Sequence, residues 1–221
     1  MGWITKNGKR IYIKDKGTGA VVAGVVALGV FASAGGAVSL GGGGVVGEVA
    51  GSEVSVQLRA RKAEGQKAAR KGDNHGAWQR MGLRQVRQSV RQQAECVAVS
   101  FGEVREFFTR TRCSSLERMM FAIVDEAGNT AVVSVVWVGL GTAGDARDFE
   151  ALMDRQGSGD IRPLGAPVLE MADVEFTGLR YGSDRDGKSV TVAEAENALG
   201  SGFDHDTVDA IAEVAAYLPR I

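Results

Sequence analysis

The chain has 221 residues, of which 44% are hydrophobic and 24% charged, and its net charge is −1. This length accommodates one ordinary domain with appended segments and excludes an array of several full-size domains. The small net charge conceals a segregation, since residues 1–16 carry +4, residues 55–95 carry +7 and residues 96–221 carry −10. We therefore divide the chain into a basic tip at 1–16, an apolar stretch at 17–47, a basic linker at 48–75 and a folded domain at 76–221.

Two short alternating runs open the chain. Trp3–Lys6 and Lys9–Ile13 alternate apolar and polar residues around Asn7-Gly8. Asn-Gly between alternating runs is a strong signal for a β-hairpin. Because a lone hairpin is only marginally stable, we expect this tip to lean on a partner, a membrane surface or a neighbouring subunit.

An uncharged Gly/Ala/Val stretch follows, from Gly17 to Gly47. Within it, Ala20–Val38 covers about the 20 residues that a helix needs to cross a bilayer, although its glycines make insertion marginal. The favoured interpretation is a single transmembrane helix that anchors the chain in the cell membrane. Small residues recur at four-residue spacing, which predicts a homo-oligomer through close helix packing. These residues are Gly19, Ala23 and Ala27, together with Ala20 and Gly24.

Two alternatives to an anchor stay open. Ala32-Ser33-Ala34 offers the small-x-small pattern of a signal peptide cleaved after Ala34, which would release a secreted domain. A glycine-rich linker or a buried helix is the other alternative, and the Val-rich run Val21–Phe31 argues against a linker. The orientation in the membrane is nearly tied, because basic residues flank the stretch on both sides.

Cys96 and Cys113 are the only two cysteines of the sequence. A disulfide between them would suit an oxidising compartment and would stabilise the fold by roughly 3 kcal/mol. Two buried free thiols are the alternative. The pair breaks the tie in orientation, and we place the C-terminal domain outside the cytoplasm.

The basic region beyond the apolar stretch predicts a linker or exposed helix over 55–75 and an amphipathic helix over 77–99. The polar face of the second helix carries Arg80, Arg84, Arg87 and Arg91. Such a face would contact anionic lipid, a cell-envelope polymer or nucleic acid, of which nucleic acid is the least favoured. A solvated helix face is the alternative.

The rest of the chain alternates strands and helices, after a helical pattern that ends near Cys113. The predicted elements are strands Leu116–Asp125 and Thr130–Val138, a helix Asp145–Gln156, strands Asp173–Tyr181 and Lys188–Glu196, and a helix Thr207–Leu218. Hairpins separated by helices give the order α-β-β-α-β-β-α. This order predicts an α+β fold in which helices pack on an antiparallel sheet.

Two glycine-rich segments match nucleotide-binding patterns. Gly182–Ser189 matches the P-loop pattern, but a strand follows it and two carboxylates stand where phosphate would bind, so a hairpin turn is favoured. Gly139, Gly141 and Gly144 match G-x-G-x-x-G between a strand and a helix. The strand before them belongs to an antiparallel hairpin, so a plain strand-to-helix loop is favoured over a nucleotide site.

The sequence offers no catalytic constellation. Its two histidines, His75 and His205, have no cysteine or second histidine at ligand spacing, so we expect no metal site. Asp204-His205-Asp206 is better explained as the start of a helix than as a cation site. We accordingly expect neither a cofactor nor an enzymatic activity.

Several segments beyond Cys96 carry a resemblance to other proteins. They are FFTRTRCSSLERMMFAIVD, VVSVVWV, DFEALMDRQGSGDI and FTGLRYGSDRDGKSVTVAEAE. Together with the preceding basic tip and apolar stretch, these segments resemble a set of uncharacterised actinobacterial membrane-anchored proteins. The resemblance implies a membrane-tethered domain and carries over no catalytic residues.

Three functions are compatible with these features. The favoured one is a membrane-anchored extracytoplasmic binding or interaction domain, with a protein or an envelope polymer as its partner. The second is a cytosol-facing membrane protein, of a mobile element or a phage, whose basic connector binds DNA or anionic lipid. The third is a nucleotide-binding enzyme built on Gly139–Gly144.

Overall fold

The computed structural model describes residues 2–6, 9–13, 47–89, 91–165, 169–172 and 174–220, with side chains from residue 55 onward. The chain divides into two compact units, Met1–Gly44 and Val45–Ile221. The first unit holds strands β1 (Gly2–Lys6) and β2 (Lys9–Ile13), which pair antiparallel.

Most predictions for the N-terminal part concern residues outside those described. The turn at Asn7 and Gly8, the spanning helix, the cleavage position after Ala34 and the small-residue helix face therefore stay predictions. Among the helices of the described residues, none combines the length and the apolar character that crossing a bilayer requires.

The second unit consists of helices packed on one antiparallel sheet, which confirms the predicted α+β class. Its helices are α1 (Gly47–Ala69), α2 (Asn74–Met81), α3 (Cys96–Val99), α4 (Gly102–Arg110), α5 (Ala143–Met153) and α6 (His205–Ala215). Its strands are β3 (Arg84–Gln88), β4 (Gln92–Gln93), β5 (Cys113–Val124), β6 (Thr130–Leu140), β7 (Tyr181–Asp186) and β8 (Ser189–Asn197). The strand order is β3-β5-β6-β8-β7, and β4 also pairs with β5.

The long hairpin of β5 and β6 forms the centre of this sheet. Val124 pairs with Thr130 across a short turn, as the alternation of apolar runs and turn residues predicted. The predicted helices near α5 and α6 are present as well. Each begins at a side-chain cap, since Thr142 accepts a hydrogen bond from the amide of Asp145 and Asp204 accepts one from the amide of Thr207.

The first face of the sheet is covered by α1, α2 and α6. The apolar side chains of this layer include Trp78 of α2, Phe121 of β5 and Ile211 of α6, each at most 1% exposed. The rings of Trp78 and Phe121 lie 5.6 Å apart. This layer is a continuous apolar core, which is what a sheet face covered by amphipathic helices buries.

The second face is covered by α4, α5 and an irregular segment after α5. Phe149 of α5 packs on Phe108 of α4, with ring centroids 5.2 Å apart, above Val136 and Val192 of the sheet. A separate cluster around Met120 lies beneath the irregular segment. Two polar residues, described below, interrupt the apolar side chains between these clusters.

The predicted amphipathic helix over 77–99 is wrong. Helix α2 ends at Gly82, whose φ of 76° is left-handed, and the chain then forms edge strands β3 and β4 before the short helix α3. The apolar residues at helical spacing do not share a buried face, because Leu83 is 5% exposed and Val86 is 42% exposed. Pairing with β5 therefore overrides the local periodicity.

Two other boundaries differ from the prediction. Helix α1 extends through most of the predicted linker 48–75, and its Ala68 and Ala69 are buried in the first layer, so this segment belongs to the compact unit. Strand β7 begins at Tyr181, where the predicted strand Asp173–Tyr181 was expected to end. The chain just before β7 is instead held by side chains of β8, as the next subsection shows.

Candidate functional site

A cleft of about 490 Å³ opens on the second face of the sheet. One wall is residues 154–160, which follow α5 and are called the strap here. The other wall is residues 176–180, which lead into β7 and are called the flank. Phe101, between α3 and α4, and Tyr181 complete the lining. The volume lies within the range of small-ligand sites, about 300–1,000 Å³.

Backbone contacts fix the strap to the junction of α3 and α4. The amide of Phe101 donates to the carbonyl oxygen of Asp160 at 2.9 Å. Gly102 and Gly159 face each other at this point with φ values of 61° and 98°, and a Cβ on Gly102 would lie 2.8 Å from the Cα of Gly159. Only glycine fits both the approach and the left-handed backbone, so the strap and the junction act as one wall.

A polar row crosses the sheet and reaches the cleft at Tyr181. Ser134 on β6 lies opposite Glu194 on β8, which in turn lies opposite Tyr181 on β7. Glu194 is only 5% exposed, and Asp160 on the strap and Gly178 on the flank both act on the pKa of its carboxyl. This carboxyl therefore lies close to both walls.

The environment of this polar row favours the protonated forms of Glu194 and Tyr181. Burial raises the pKa of Glu194 from 4.5 to about 9, and Asp160 and the charge of Glu196 act in the same direction. Glu194 is therefore protonated near neutral pH. Burial also raises the pKa of Tyr181, whose hydroxyl makes no hydrogen bond of normal geometry although Ser183 lies near it.

The flank is held by the second acidic residue of β8. Glu196 accepts hydrogen bonds from the hydroxyl of Thr177 at 2.5 Å and from its amide at 3.3 Å. The amide of Thr177, which ladder pairing would have used, is thus bonded to a side chain of β8.

The predicted disulfide between Cys96 and Cys113 is confirmed, and the alternative of free thiols is wrong. The bond joins the first residue of α3 to the first residue of β5, with Cα atoms 6.4 Å apart. Helices α3 and α4 lie inside the loop that it closes. The bond therefore restrains the junction that carries Phe101, and with it one wall of the cleft.

The four arginines of the predicted polar face are spread over different elements. Arg80 lies on α2, Arg84 and Arg87 lie on β3, and Arg91 lies just before β4. Arg87 donates to the backbone oxygen of Leu169 at 2.5 Å. A common helical surface for a polyanion or lipid is therefore absent from this part of the described chain, and a contact through single arginines stays a prediction.

Three of these arginines form ion pairs within the domain. Arg80 lies 3.7 Å from Glu64, Arg87 lies 3.5 Å from Glu170, and Arg91 lies 3.1 Å from Glu117. Arg220 reaches the other oxygen of Glu117 at 2.8 Å. The hydrogen bond from Arg220, with that from Arg91, lowers the pKa of Glu117. This cluster fastens the C-terminal residues to β5, which is a structural role.

The loop with Gly139, Gly141 and Gly144 joins β6 to α5. Strand β6 lies between β5 and β8 and is antiparallel to both, so the loop does not belong to a βαβ unit. The carboxylate of Asp145 accepts a hydrogen bond from the amide of Thr142 at 2.9 Å. The helix start where a phosphate would bind is thus capped by the chain's own side chains.

The P-loop-like segment forms the turn between β7 and β8, as predicted. Asp186 pairs with Ser189 across Gly187 and Lys188. His205 lies at the start of α6 and contacts Arg180. In the part of the chain that the structure describes, three or more potential metal ligands come together nowhere.

Sequence reasoning missed the cleft residues. Glu194 carried a usable signal, because it occupies the position after Val190 and Val192 at the two-residue spacing of a buried strand face. An acidic residue on the same strand face as buried valines indicates a buried carboxyl. The role of Asp160 had no comparable local signal, since it depends on contacts with β8 and with the junction at Phe101.

Comparison of the chain with protein families, with curated proteins and with solved structures finds no match. The resemblance to actinobacterial membrane-anchored proteins therefore stays a prediction, and the candidate site rests on its own geometry.

Proposed function

We propose that this chain is a membrane-anchored domain that binds a ligand outside the cytoplasm. The observation that carries the proposal is the disulfide between Cys96 and Cys113, because it restrains a wall of a cleft of ligand size. Stable disulfides belong to oxidising compartments. A site whose shape depends on such a bond is best suited to the extracytoplasmic side.

The basic tip and the uncharged stretch Gly17–Gly47 support the membrane part of the proposal. Their order, with positive charges before an apolar run of spanning length, is typical of a signal anchor. The strongly acidic remainder of the chain carries a net charge of −10 over residues 96–221, so attraction to anionic lipid or nucleic acid is not expected of it.

Topology mapping in intact cells tests this proposal. Alkaline phosphatase, which is active only outside the cytoplasm, and green fluorescent protein, which is fluorescent inside, would be fused separately after Ile221. We expect an active phosphatase fusion and a dark fluorescent one. The reverse pattern would instead support a cytosol-facing protein, and N-terminal sequencing of the same material separates an anchor from cleavage after Ala34.

The stability that the disulfide contributes can be measured on the purified full chain. Cys96 and Cys113 are 17 residues apart, and loss of a loop closure of this size lowers the free energy of unfolding by about 3 kcal/mol. We expect this loss for the double variant Cys96→Ser/Cys113→Ser in guanidinium unfolding. A reducing agent should destabilise the natural chain and leave the double variant unchanged, whereas equal stability of the two chains would contradict a structural disulfide.

A further inference from the structure

Helix α1 has one side in the core and one side exposed. Its buried side holds Ala68 and Ala69 against the first layer of the domain. The opposite side, called the outer face of α1 here, is formed by exposed residues at spacings of three and four along the helix and the turn after it. These residues are Val56, Arg59, Ala60, Ala63, Lys67, Arg70 and Lys71.

The outer face belongs to the most basic surface region of the described chain. Over residues 55–83, which form α1, α2 and their connection, seven lysines and arginines stand against two acidic residues, a net charge of +5. Glu64 lies beside the outer face, 3.9 Å from Lys67 and 3.7 Å from Arg80 of α2. Because Glu64 and Lys67 are both more than half exposed, their pairing compensates little of the positive charge.

Acidic residues bound the outer face on the side of α6. Glu213 is paired with Lys62 at 2.6 Å, and Asp184 lies 3.9 Å from Arg70. Arg59 lines a groove whose acidic members are Asp206, Asp209 and Glu213. Lys71 forms no ion pair with a described residue, so uncompensated positive charge is concentrated at Lys67 and Lys71, away from α6.

An apolar side chain and the position along the chain supply two further observations. Val56 is 61% exposed on the same face. A helix face that combines basic residues with an exposed aliphatic one is typical of helices in a membrane interface. Helix α1 begins at Gly47, where the uncharged stretch ends, so Val56 is about 14 Å along the helix from that stretch. A basic segment at this position is typical of attraction to anionic lipid.

A lipid surface suits this face better than nucleic acid does. A bilayer contacts one side of the domain and leaves the rest in solvent. An extended polyanion would also pass residues outside α1 and α2, and residues 96–221 carry a net charge of −10. Repulsion from these residues opposes nucleic acid more than it opposes a surface that meets only α1.

We propose that the outer face of α1 docks on the anionic head groups of a phospholipid bilayer, with Lys67 and Lys71 at the phosphates and Val56 at the acyl boundary. Because α1 covers the first face of the sheet, docking directs the second face away from the bilayer. The cleft at Phe101 is then open to a ligand from solution. The inference rests on the proposed function for the membrane tether, and it holds on either side of the membrane.

Fluorescence quenching tests this orientation on the oxidised full chain in lipid vesicles. The vesicles contain phosphatidylcholine alone or with one third phosphatidylglycerol, and a nitroxide on a lipid head group quenches nearby labels. A label is attached through Ala63→Cys on the outer face or, as the control, through Asp148→Cys on α5 of the second face. We expect phosphatidylglycerol to cause quenching at position 63 only.

Salt should reverse this quenching, because the Debye length falls to about 3 Å at 1 M ionic strength. Equal quenching of the two labels, or quenching at position 63 that does not depend on phosphatidylglycerol, would overturn the proposal.

Matched double variants localise the contact. Lys67→Gln/Lys71→Gln should lower the ratio of docked to undocked domain about thirtyfold, as expected for two basic groups near an anionic surface. Lys67→Arg/Lys71→Arg should retain docking. Arg105→Gln/Arg147→Gln removes the same charge from exposed positions on α4 and α5 and should leave the ratio unchanged. Equal losses in the two glutamine variants would contradict a contact through α1.

Two further measurements separate the outcomes. A DNA duplex that competes with phosphatidylglycerol for Lys67 and Lys71 at equal charge concentration would assign the surface to nucleic acid and overturn the choice of lipid. Retention of the chain on neutral vesicles at 1 M salt reports the membrane anchor alone, because docking through charge is lost there. An anchored chain that fails to dock would therefore refute this inference and leave the proposed function intact.

Discussion

The two faces of the central sheet bury their residues in different ways. On the first face, α1, α2 and α6 cover an apolar layer that includes Trp78 and Phe121, and the buried carboxylate of Glu117 is paired there with Arg91 and Arg220. On the second face, α4 and α5 cover only part of the sheet, and the remainder is spanned by irregular segments over Ser134 and Glu194. The first face pairs its buried carboxylate with two arginines, whereas the second buries the carboxyl of Glu194 beside other acids.

The two faces of the sheet therefore have different roles within one domain. Burying a carboxyl costs free energy unless it is protonated and hydrogen-bonded, so the second face is not the more stable choice. It does place a buried acid close to both walls of a cleft. The larger buried apolar cluster lies on the first face, and the candidate site lies on the second.

The largest expected effect comes from the first face. Trp78 is 1% exposed, and Trp78→Ala should lower the free energy of unfolding by about 3–5 kcal/mol because it leaves a cavity against Phe121. Trp78→Phe is the matched control, with a loss below about 1.5 kcal/mol, since it keeps an aromatic ring and removes an indole N–H that has no acceptor. Guanidinium unfolding measures both. A loss below about 1 kcal/mol for the alanine variant would show that tight packing at Trp78 does not stabilise the first face.

An intermediate effect is expected on the second face, and it depends on pH. The pKa of Glu194 is raised in the folded chain from 4.5 to about 9, so the folded state holds a proton that the unfolded state releases in this range. The stability of the natural chain should accordingly fall as the pH rises from 5 to 9. Glu194→Gln keeps the shape and cannot ionise, so it should be the more stable chain by about 1–3 kcal/mol near pH 8.5.

Urea unfolding at pH 5 and pH 8.5 compares the two chains. Asp160, Glu196 and the amide of Gly178 face Glu194, and the charges of the two acids reinforce the fall in stability at high pH. Glu126→Gln, at an exposed turn, is the control and should follow the natural chain at both pH values. Glu194→Gln should lose less stability than the natural chain between pH 5 and pH 8.5. An equal loss in the two chains would show that ionisation of Glu194 does not destabilise the fold.

The smallest expected effect concerns the start of α5. Thr142→Ala removes the hydrogen bond to the amide of Asp145 and should cost about 1 kcal/mol, while Thr142→Ser should retain the cap. Thermal unfolding with and without ATP or NAD extends the test. Because the helix start is already capped, neither nucleotide should raise the melting temperature, and a clear rise would revive a nucleotide site at Gly139–Gly144.

Sequence patterns predicted the elements whose local and tertiary preferences agree. The hairpin of β5 and β6 and helix α6 follow from apolar runs at strand and helix spacing, although the helix begins at His205, two residues before its predicted start. Residues 84–93 were wrongly predicted because their apolar spacing fits a helix, while the free edge of β5 provides backbone partners that a helix cannot use. The local sequence of residues 84–93 carries no information about the edge of β5 with which these residues pair.

By itself, the sequence determined the α+β class, the two central strands, the pairing of the only two cysteines and the segregation of charge. These properties depend on residue type and on spacing along the chain. The cleft was decided by the tertiary structure alone, because its walls come from residues near 101, 154–160 and 176–181. These groups are far apart in the chain, and the pairing of β7 with β8 and the backbone bond between Phe101 and Asp160 bring them together.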